Sequence, residues 1–132
     1  MSNLVILCVD DEPIIRDSLL QQLKGAFRGE YDCETAADAT EALEVIEDVV
    51  DEGSDLVVIV SDWLMPGMKG DEFLIQVHQK HPDVVKILLT GQADESAITR
   101  AQQEANLHAY LSKPWKKEDL IRAIQSGMAN VT

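Results

Sequence analysis

The chain has 132 residues, of which 45% are apolar and 27% are charged, the proportions of an ordinary globular protein that fits one domain. Acidic residues outnumber basic residues by 24 to 11, so the formal net charge is −13. Because such an acidic surface repels phosphate backbones and anionic lipids, we expect no direct contact with nucleic acid or with a membrane.

Short apolar runs alternate with longer amphipathic stretches along the whole chain. In chain order we predict strand 4–9, helix 12–27, strand 31–36, helix 39–50, strand 56–60, helix 71–80, strand 84–89, helix 94–104, strand 107–111 and helix 116–128. Asp38 is a suitable N-cap for the second helix. Alternating strands and helices predict a parallel sheet with helices on both faces, and the continuously apolar strands favour burial on both sides.

The first apolar run also bears on location in the cell. It is preceded by no basic region, is followed by no small-residue cleavage site, and stops at Asp10. It therefore predicts neither a signal peptide nor a membrane span, and we expect a cytoplasmic protein. Cys8 and Cys33 lie in strand segments and are interpreted as small packing residues rather than as a disulfide.

Polar side chains stand at the end of four of the five predicted strands. They are Asp10-Asp11-Glu12, Ser61-Asp62, Thr90-Gly91 and Ser112-Lys113-Pro114. Ligands of open parallel sheets bind outside the carboxyl ends of the strands, so we expect these groups to meet. Clustered carboxylates repel one another in a crevice and require a compensating cation. Mg²⁺, which takes oxygen ligands and needs few carboxylates, is the natural choice.

These residues, in this order on this frame, resemble the receiver domains of response regulators in two-component signal transduction. The segment from Asp62 through Pro66 to Gly70 is similar to the phosphoacceptor loop of that family, and the resemblance covers nearly all of residues 1–132. It implies a single α/β domain of the flavodoxin-like type, with five parallel strands in the order 2-1-3-4-5. It also implies a switch that takes a phosphoryl group and changes the surface of the fourth helix, fifth strand and fifth helix.

The resemblance assigns Asp62 as the phosphoacceptor, loaded by a sensor histidine kinase, a histidine phosphotransfer protein or a small phosphodonor. It implies that Asp11, Asp62 and the backbone carbonyl of Leu64 bind Mg²⁺ directly, with Mn²⁺ as an alternative ion. Asp10 would act through a metal-bound water. Because phosphoryl transfer depends on positioning and on cations, these roles suit the chemistry.

The same resemblance assigns three further roles. Lys113 would pair first with the acceptor carboxylate and then with the phosphoryl group. Thr90 would donate its hydroxyl to a phosphoryl oxygen. Tyr110 would turn from exposed to buried when Thr90 moves, so that Thr90 and Tyr110 together form the switch.

Some positions depart from the common pattern of the family. Gly91 replaces a slightly larger residue, which predicts a more open phosphoryl pocket. Leu64 and Gln92 flank the expected path of attacking water, and we expect Leu64 to shield the phosphate while Gln92 offers a neutral contact. Together these three residues are predicted to set the phosphate lifetime. Trp115 stands where phenylalanine is common and identifies no output class.

Several alternatives remain open at this point. Residues 10–12 could cap the first helix, and Glu12 fits a first-turn residue better than a metal ligand. A phosphatase of the haloacid dehalogenase type also uses an aspartyl phosphate, but its acid aspartate lies two residues after its nucleophile, where this chain has Glu12 or Pro13. A pseudo-receiver that binds partners without phosphate would lack an acceptor or metal residue, and none is missing.

The sequence does not name the downstream partner. The chain fits either a free-standing regulator or the N-terminal receiver of a longer protein with an effector domain. The predicted surface of the fourth helix, fifth strand and fifth helix could also form dimers.

Overall fold

The computed structural model describes residues 3–91 and 95–129. Within these residues the elements are β1 Leu4–Val9, α1 Pro13–Phe27, β2 Asp32–Ala36, α2 Ala39–Asp51, β3 Asp55–Asp62, α3 Gly70–Lys80, β4 Val85–Thr90, α4 Glu95–Glu104, β5 Ala109–Ser112 and α5 Lys117–Ala129. None of these helices is both long and apolar enough to cross a membrane.

The five strands form one parallel sheet in the order β2-β1-β3-β4-β5, which confirms the predicted topology. Val9 at the end of β1 pairs with Ser61, and Asp62 at the end of β3 pairs with Leu89. All strands run in one direction, so the residues that follow them emerge at one edge of the sheet. Asp10 and Asp62, from adjacent strands, therefore meet there.

Two hydrophobic cores cover the two faces of the sheet. One contains Ile46 of α2 and Phe73 of α3, and the other contains Leu19 of α1 and Leu120 of α5. Fully burying a side chain of this size stabilises a fold by about 1.5–3 kcal/mol. The inner strands β1, β3 and β4 are largely apolar on both faces because helices cover both, and this frame holds the polar strand ends in place.

Side chains and proline set the starts of the first two helices. Asp38 Oδ1 accepts a hydrogen bond from the Glu41 backbone amide at 2.8 Å, which confirms the predicted cap of α2. Glu41 Oε1 in turn accepts from the amide of Ala37, the residue before the cap, at 3.2 Å. Helix α1 begins at Pro13, one residue later than predicted, because proline suits the first helical position and Glu12 is the N-cap.

Four strands differ from their predicted bounds, and the first of them, β2, begins at Asp32 rather than at residue 31. β3 extends through Asp62, so the predicted phosphoacceptor is the last strand residue. β4 lies one residue later, because the Val84 amide bonds back to the His81 carbonyl in a turn. β5 begins at Ala109 rather than at residue 107, because the Leu107 amide bonds to the carbonyl of Ala101 and closes the end of α4. The predicted start of the fourth helix, Asp94, lies outside the described residues.

One buried lysine interrupts the apolar strand β4. Lys86 is fully buried, and its Nζ donates to the Val84 carbonyl at 2.9 Å and lies 3.0 Å from His78 Nδ1. Burial lowers the pKa of Lys86 to about 8, although Asp83 opposes this shift. Burial, together with the nearby Lys86 charge, also lowers the pKa of His78. The ammonium fixes the α3–β4 turn at the edge of the sheet opposite the polar strand ends.

This burial predicts a pH dependence of stability that Lys86→Met should remove. The pKa of Lys86 is lower in the folded protein than in the unfolded chain, so the unfolded chain binds more protons above about pH 8. The Lys86 contribution to the free energy of unfolding should therefore rise by about 2 kcal/mol between about pH 7 and about pH 9.5. Urea denaturation of both proteins at the two pH values measures it.

The wild type must be compared with Lys86→Met because thiols removed from solvent lower the free energy of unfolding as pH rises, which opposes the effect of Lys86. Burial raises the pKa of Cys33, so its contribution to the free energy of unfolding falls as pH rises. This fall is the same in both proteins. Lys80→Met, at the exposed end of α3, should keep the wild-type pH dependence. If Lys86→Met keeps it as well, the ammonium is not desolvated as described.

Candidate functional site

Three carboxylates lie together at the carboxyl edge of the sheet. Carboxylate oxygens of Asp10, Asp11 and Asp62 all lie within 4.8 Å of one another. Asp10 is fully buried and Asp62 is 5% exposed, whereas Asp11 is exposed. The structure thus brings together the acidic residues that the sequence predicts to converge, in an arrangement open to solvent on one side.

Both carboxylate oxygens of Asp10 have protein partners. Oδ1 accepts from the Glu12 amide at 2.9 Å, and Oδ2 accepts from Lys113 Nζ at 2.7 Å. Arg16 Nη1 also donates to the Asp10 backbone carbonyl at 2.7 Å. These contacts hold Asp10 firmly and compensate part of its buried charge. They also favour an indirect contact of Asp10 with a cation, as the resemblance implies.

Lys113 bridges the carboxylates of two strands. Its Nζ lies 2.7 Å from Asp10 Oδ2 and 3.1 Å from Asp62 Oδ1. Burial alone would lower the pKa of Lys113, but the hydrogen bonds to the two carboxylates outweigh it, so its pKa is raised. The Lys113–Pro114 peptide bond is cis. Lys113 is therefore a fixed positive charge beside the predicted phosphoacceptor.

The charge around Asp62 is not fully balanced by the chain alone. Burial and repulsion from Asp10 raise the pKa of Asp62 to about 6, while Lys113 partly offsets the shift and Asp11 adds to it. Among the described residues, the Lys113 ammonium thus faces three carboxylates. A set of carboxylate oxygens with excess negative charge is what a hard divalent cation requires, so these residues fit Mg²⁺.

The remaining predicted site residues border the same crevice. Leu64 and Gly91 line it together with Asp11, Asp62 and Lys113. The Leu64 side chain is 59% exposed. Among the described residues, no atom would lie within 4 Å of a Cβ atom on Gly91. Gln92 lies outside the described residues.

Thr90 and Tyr110 lie on the β4–β5 side of the crevice. Thr90 ends β4, and its hydroxyl donates to the Leu111 carbonyl at a long 3.5 Å. Tyr110 is 49% exposed and pairs with Leu88 across the two strands. The Thr90 hydroxyl is held only weakly, and the tyrosine ring has surface left to bury.

Sequence reasoning missed the structural importance of Gly70. A Cβ atom at this position would collide with the Asp62 carbonyl oxygen and would lie 2.9 Å from the Trp63 Cα atom. The first turn of α3 therefore packs directly against the strand end that carries Asp62. Gly70 was predicted to be a loop residue directly before helix 71–80, but α3 begins at Gly70.

A second contact that the sequence did not reveal fixes the segment after Lys113. Trp115 Nε1 donates to Gln22 Oε1 on α1 at 2.9 Å. This bond ties the β5–α5 loop to the first helix.

Comparison with known proteins agrees with this geometry. Residues 6–125 match the family model described as the response regulator receiver domain. The chain is 32% identical over 123 residues to the hydrogenase transcriptional regulatory protein HoxA of Cupriavidus necator, a match that covers 93% of this chain and 24% of that protein. The chain thus spans about a quarter of the length of this curated relative.

Solved structures show the same fold. The signal receiver domain of an HD domain-containing protein from Pseudomonas fluorescens Pf-5 superposes with a TM-score of 0.86 at 31% identity, covering 98% of this chain and 97% of that one. A CheY-like receiver domain protein from Methanospirillum hungatei JF-1 gives 0.85 at 33% identity, with the same coverage. The chain belongs to the response regulator receiver domain family of two-component systems.

Proposed function

We propose that residues 1–132 act as one receiver domain in which Asp62 accepts a phosphoryl group in a two-component phosphorelay. One observation carries the proposal. Asp62 Oδ1 lies 3.1 Å from Lys113 Nζ, and the Asp62 carboxylate shares its crevice with those of Asp10 and Asp11. A carboxylate can attack phosphorus only where repulsion between the two anions is cancelled, and this arrangement provides one cation and a site for a second.

Asp11, Asp62 and the Leu64 carbonyl would hold Mg²⁺ or Mn²⁺, with Asp10 acting through a water. When bound, the ion offsets the negative charge that the phosphodonor brings. An oxygen of Asp62 forms a bond to phosphorus while the bond from phosphorus to the donor nitrogen or oxygen breaks. The leaving group takes the electron pair of that bond, so that a histidine nitrogen then binds a proton from solvent, whereas acetate departs as the anion. Lys113 holds the Asp62 carboxylate before transfer and pairs with the phosphoryl oxygens afterwards.

The output would be a changed surface rather than a released product. The transferred group adds roughly one to two negative charges and new acceptor oxygens beside Thr90. The weakly held Thr90 hydroxyl then donates to a phosphoryl oxygen, and the half-exposed Tyr110 ring moves into the space that Thr90 leaves. This shifts an existing equilibrium of the α4–β5–α5 surface, which would contact a partner, an effector domain or a second copy.

A sensor histidine kinase or a histidine phosphotransfer protein in the cytoplasm is the proposed phosphodonor. The relative HoxA is named a transcriptional regulatory protein, so one form of output is control of transcription by an effector outside this receiver. We propose that the receiver itself contacts neither nucleic acid nor membrane. Its role would be that of a phosphoacceptor that promotes its own loading and hydrolysis, without turnover of other substrates.

Incubation with acetyl phosphate and Mg²⁺ tests this function. Intact-mass spectrometry should show one labile phosphoryl adduct that disappears when EDTA replaces Mg²⁺ and when Asp62 is replaced in Asp62→Asn. Asp17→Asn, on the exposed face of α1, is the matched control and should label normally. Steady hydrolysis of unrelated phosphoesters would instead indicate a phosphatase of the haloacid dehalogenase type. A folded protein that takes up no phosphoryl group would indicate a pseudo-receiver.

The phosphate lifetime should depend on Leu64. Its exposed apolar side chain lines the crevice beside Asp62, so Leu64→Asn should admit water and shorten the half-life of the aspartyl phosphate several-fold. Gln92→Ala tests the second predicted lifetime residue. Decay is followed by intact mass after the phosphodonor is removed. Unchanged decay in both variants would remove these residues as lifetime determinants.

A further inference from the structure

The residue after the predicted phosphoacceptor is held from three directions. The Trp63 backbone amide donates to the Leu89 carbonyl of β4 at 3.0 Å, and the Trp63 carbonyl accepts from the Gly70 amide at 2.8 Å. Its indole Nε1 donates to Asp71 Oδ1 at 3.0 Å. Trp63 therefore joins the end of β3 to β4 and to the first turn of α3, one peptide bond away from Asp62.

Asp71 carries this connection on to another helix. Its carboxylate is nearly buried, with 8% of the side chain exposed, and Oδ2 lies 3.6 Å from Arg100 Nη1 on α4. Asp71 lies in the first turn of α3, where the helix dipole favours its negative charge. One carboxylate thus holds the tryptophan indole with one oxygen and the arginine with the other.

Lys69 adds a further contact to the same cluster. Its Nζ lies 4.9 Å from the centre of the Trp63 ring, a cation–π distance. The indole is therefore fixed by a cation on its face and by a carboxylate at its edge, and it has little freedom to move independently of α3.

Helix α4 begins shortly after Thr90 and Gly91, which lie at the same crevice. A displacement of Thr90 toward a phosphoryl oxygen would pull on α4, and a shift of α4 relative to α3 must stretch the pair between Asp71 and Arg100. That pair is closed in the arrangement in which Lys113 contacts the Asp62 carboxylate and the Tyr110 ring is exposed.

We propose that the contacts from Trp63 through Asp71 to Arg100 form a latch. The latch holds α4 in place while Asp62 carries no phosphoryl group, and it opens when Asp62 is loaded. Asp71 acts here as a positioning residue, because it touches neither the phosphodonor nor the acceptor carboxylate. This inference rests on the proposed phosphoacceptor function of Asp62. It adds a restraint on α4 that the movement of Thr90 must overcome.

Because the latch stabilises the unloaded arrangement of α4, it must weaken the binding of a phosphoryl mimic by the same factor. Nearly half of the Arg100 side chain is exposed, at 46%, so the ion pair has the modest strength of partly solvated pairs. Breaking it should tighten the binding of a phosphoryl mimic about two- to fivefold.

The test uses beryllofluoride with saturating Mg²⁺ as the mimic and ¹⁹F NMR to measure the bound fraction. Asp71→Asn keeps an oxygen that can accept the indole hydrogen bond but loses the charge that attracts Arg100. Arg100→Gln removes the other partner. Each variant should bind beryllofluoride about two- to fivefold more tightly than the wild type, and the double variant no more tightly than either.

Glu104→Gln is the matched control. Glu104 Oε2 pairs with Arg100 Nε at 3.1 Å within α4, so this variant breaks an ion pair of the same arginine without touching α3. It should bind beryllofluoride as the wild type does.

The possible results distinguish a failure of the latch from a failure of the proposed phosphoacceptor function. Unchanged or weaker binding in Asp71→Asn and Arg100→Gln would overturn the latch while leaving the phosphoacceptor function intact. Additive effects in the double variant would also overturn it, because two residues that act independently do not form one latch. Failure of the wild-type protein to bind beryllofluoride would overturn the proposed function and the latch with it.

Discussion

Lys113→Ala should lower the rate at which acetyl phosphate loads Asp62 by about a hundredfold or more. In the wild type, Lys113 Nζ is the positive charge that contacts both Asp62 and Asp10. Without it the phosphodonor approaches carboxylates whose repulsion this ammonium no longer reduces. The rate is measured by intact mass over time at saturating Mg²⁺.

The same variant should also be much less stable. Asp10 is fully buried, and removing one partner of a buried ion pair leaves an uncompensated charge that destabilises a protein by about 3–5 kcal/mol. Lys113→Arg should recover most of this stability but little of the loading rate, because the planar guanidinium keeps the charge and loses the shape of the ammonium. Lys117→Ala, at the exposed start of α5, is the control. A folded Lys113→Ala protein that loads at the wild-type rate would contradict the role of Lys113.

Mg²⁺ should stabilise the wild-type protein, and Asp62→Asn should remove most of that gain. At about a hundred times its dissociation constant, an ion that binds only the folded state adds about 2.7 kcal/mol to the free energy of unfolding. Urea denaturation with Mg²⁺ or with EDTA measures it. Asp17→Asn, on the exposed face of α1, should respond to Mg²⁺ as the wild type does.

Without metal, Asp62→Asn should be more stable than the wild type, the reverse of the order expected with Mg²⁺. The pKa of Asp62 is about 6 in the folded protein, above its ordinary value of 3.8. Asp62 therefore contributes stability that is complete below about pH 4 and lost as the pH rises through about 6. At neutral pH in EDTA, Asp62→Asn should thus be more stable than the wild type by about 1–3 kcal/mol. An equal Mg²⁺ gain in both proteins would show that Asp62 does not bind the ion.

Much of the fold follows from the sequence because its signals are local and repeated. The central strands are largely apolar runs, broken in β4 by Lys86, and the helices have apolar residues at helical spacing, so the alternation predicts the parallel sheet. Asp38 shows how a single residue can fix a boundary, since its cap of α2 is confirmed. The predicted start of β5 was wrong because the Leu107 amide donates a hydrogen bond to the end of α4. The sequence carries no signal for this contact.

The meeting of the site residues could also be predicted, because the carboxyl ends of parallel strands lie at one edge. Distances between side chains could not. Nothing in the spacing of Asp10 and Lys113 indicates that Lys113 lies closer to Asp10 than to Asp62. The contacts of Trp63 with Asp71, and of Asp71 with Arg100, depend on how α3 and α4 pack. Such contacts between helices distant in sequence have no periodic pattern that could reveal them.

The location of the phosphoryl group is the most direct test of the central claim. Protein loaded with acetyl phosphate and Mg²⁺ is reduced with borohydride, which converts an aspartyl phosphate into a stable alcohol, and its peptides are mapped by tandem mass spectrometry. We expect the reduction product to appear at position 62 and its yield to fall to background in EDTA. A product at Asp10 or Asp11 instead, or none in a folded, Mg²⁺-bound protein, would contradict it.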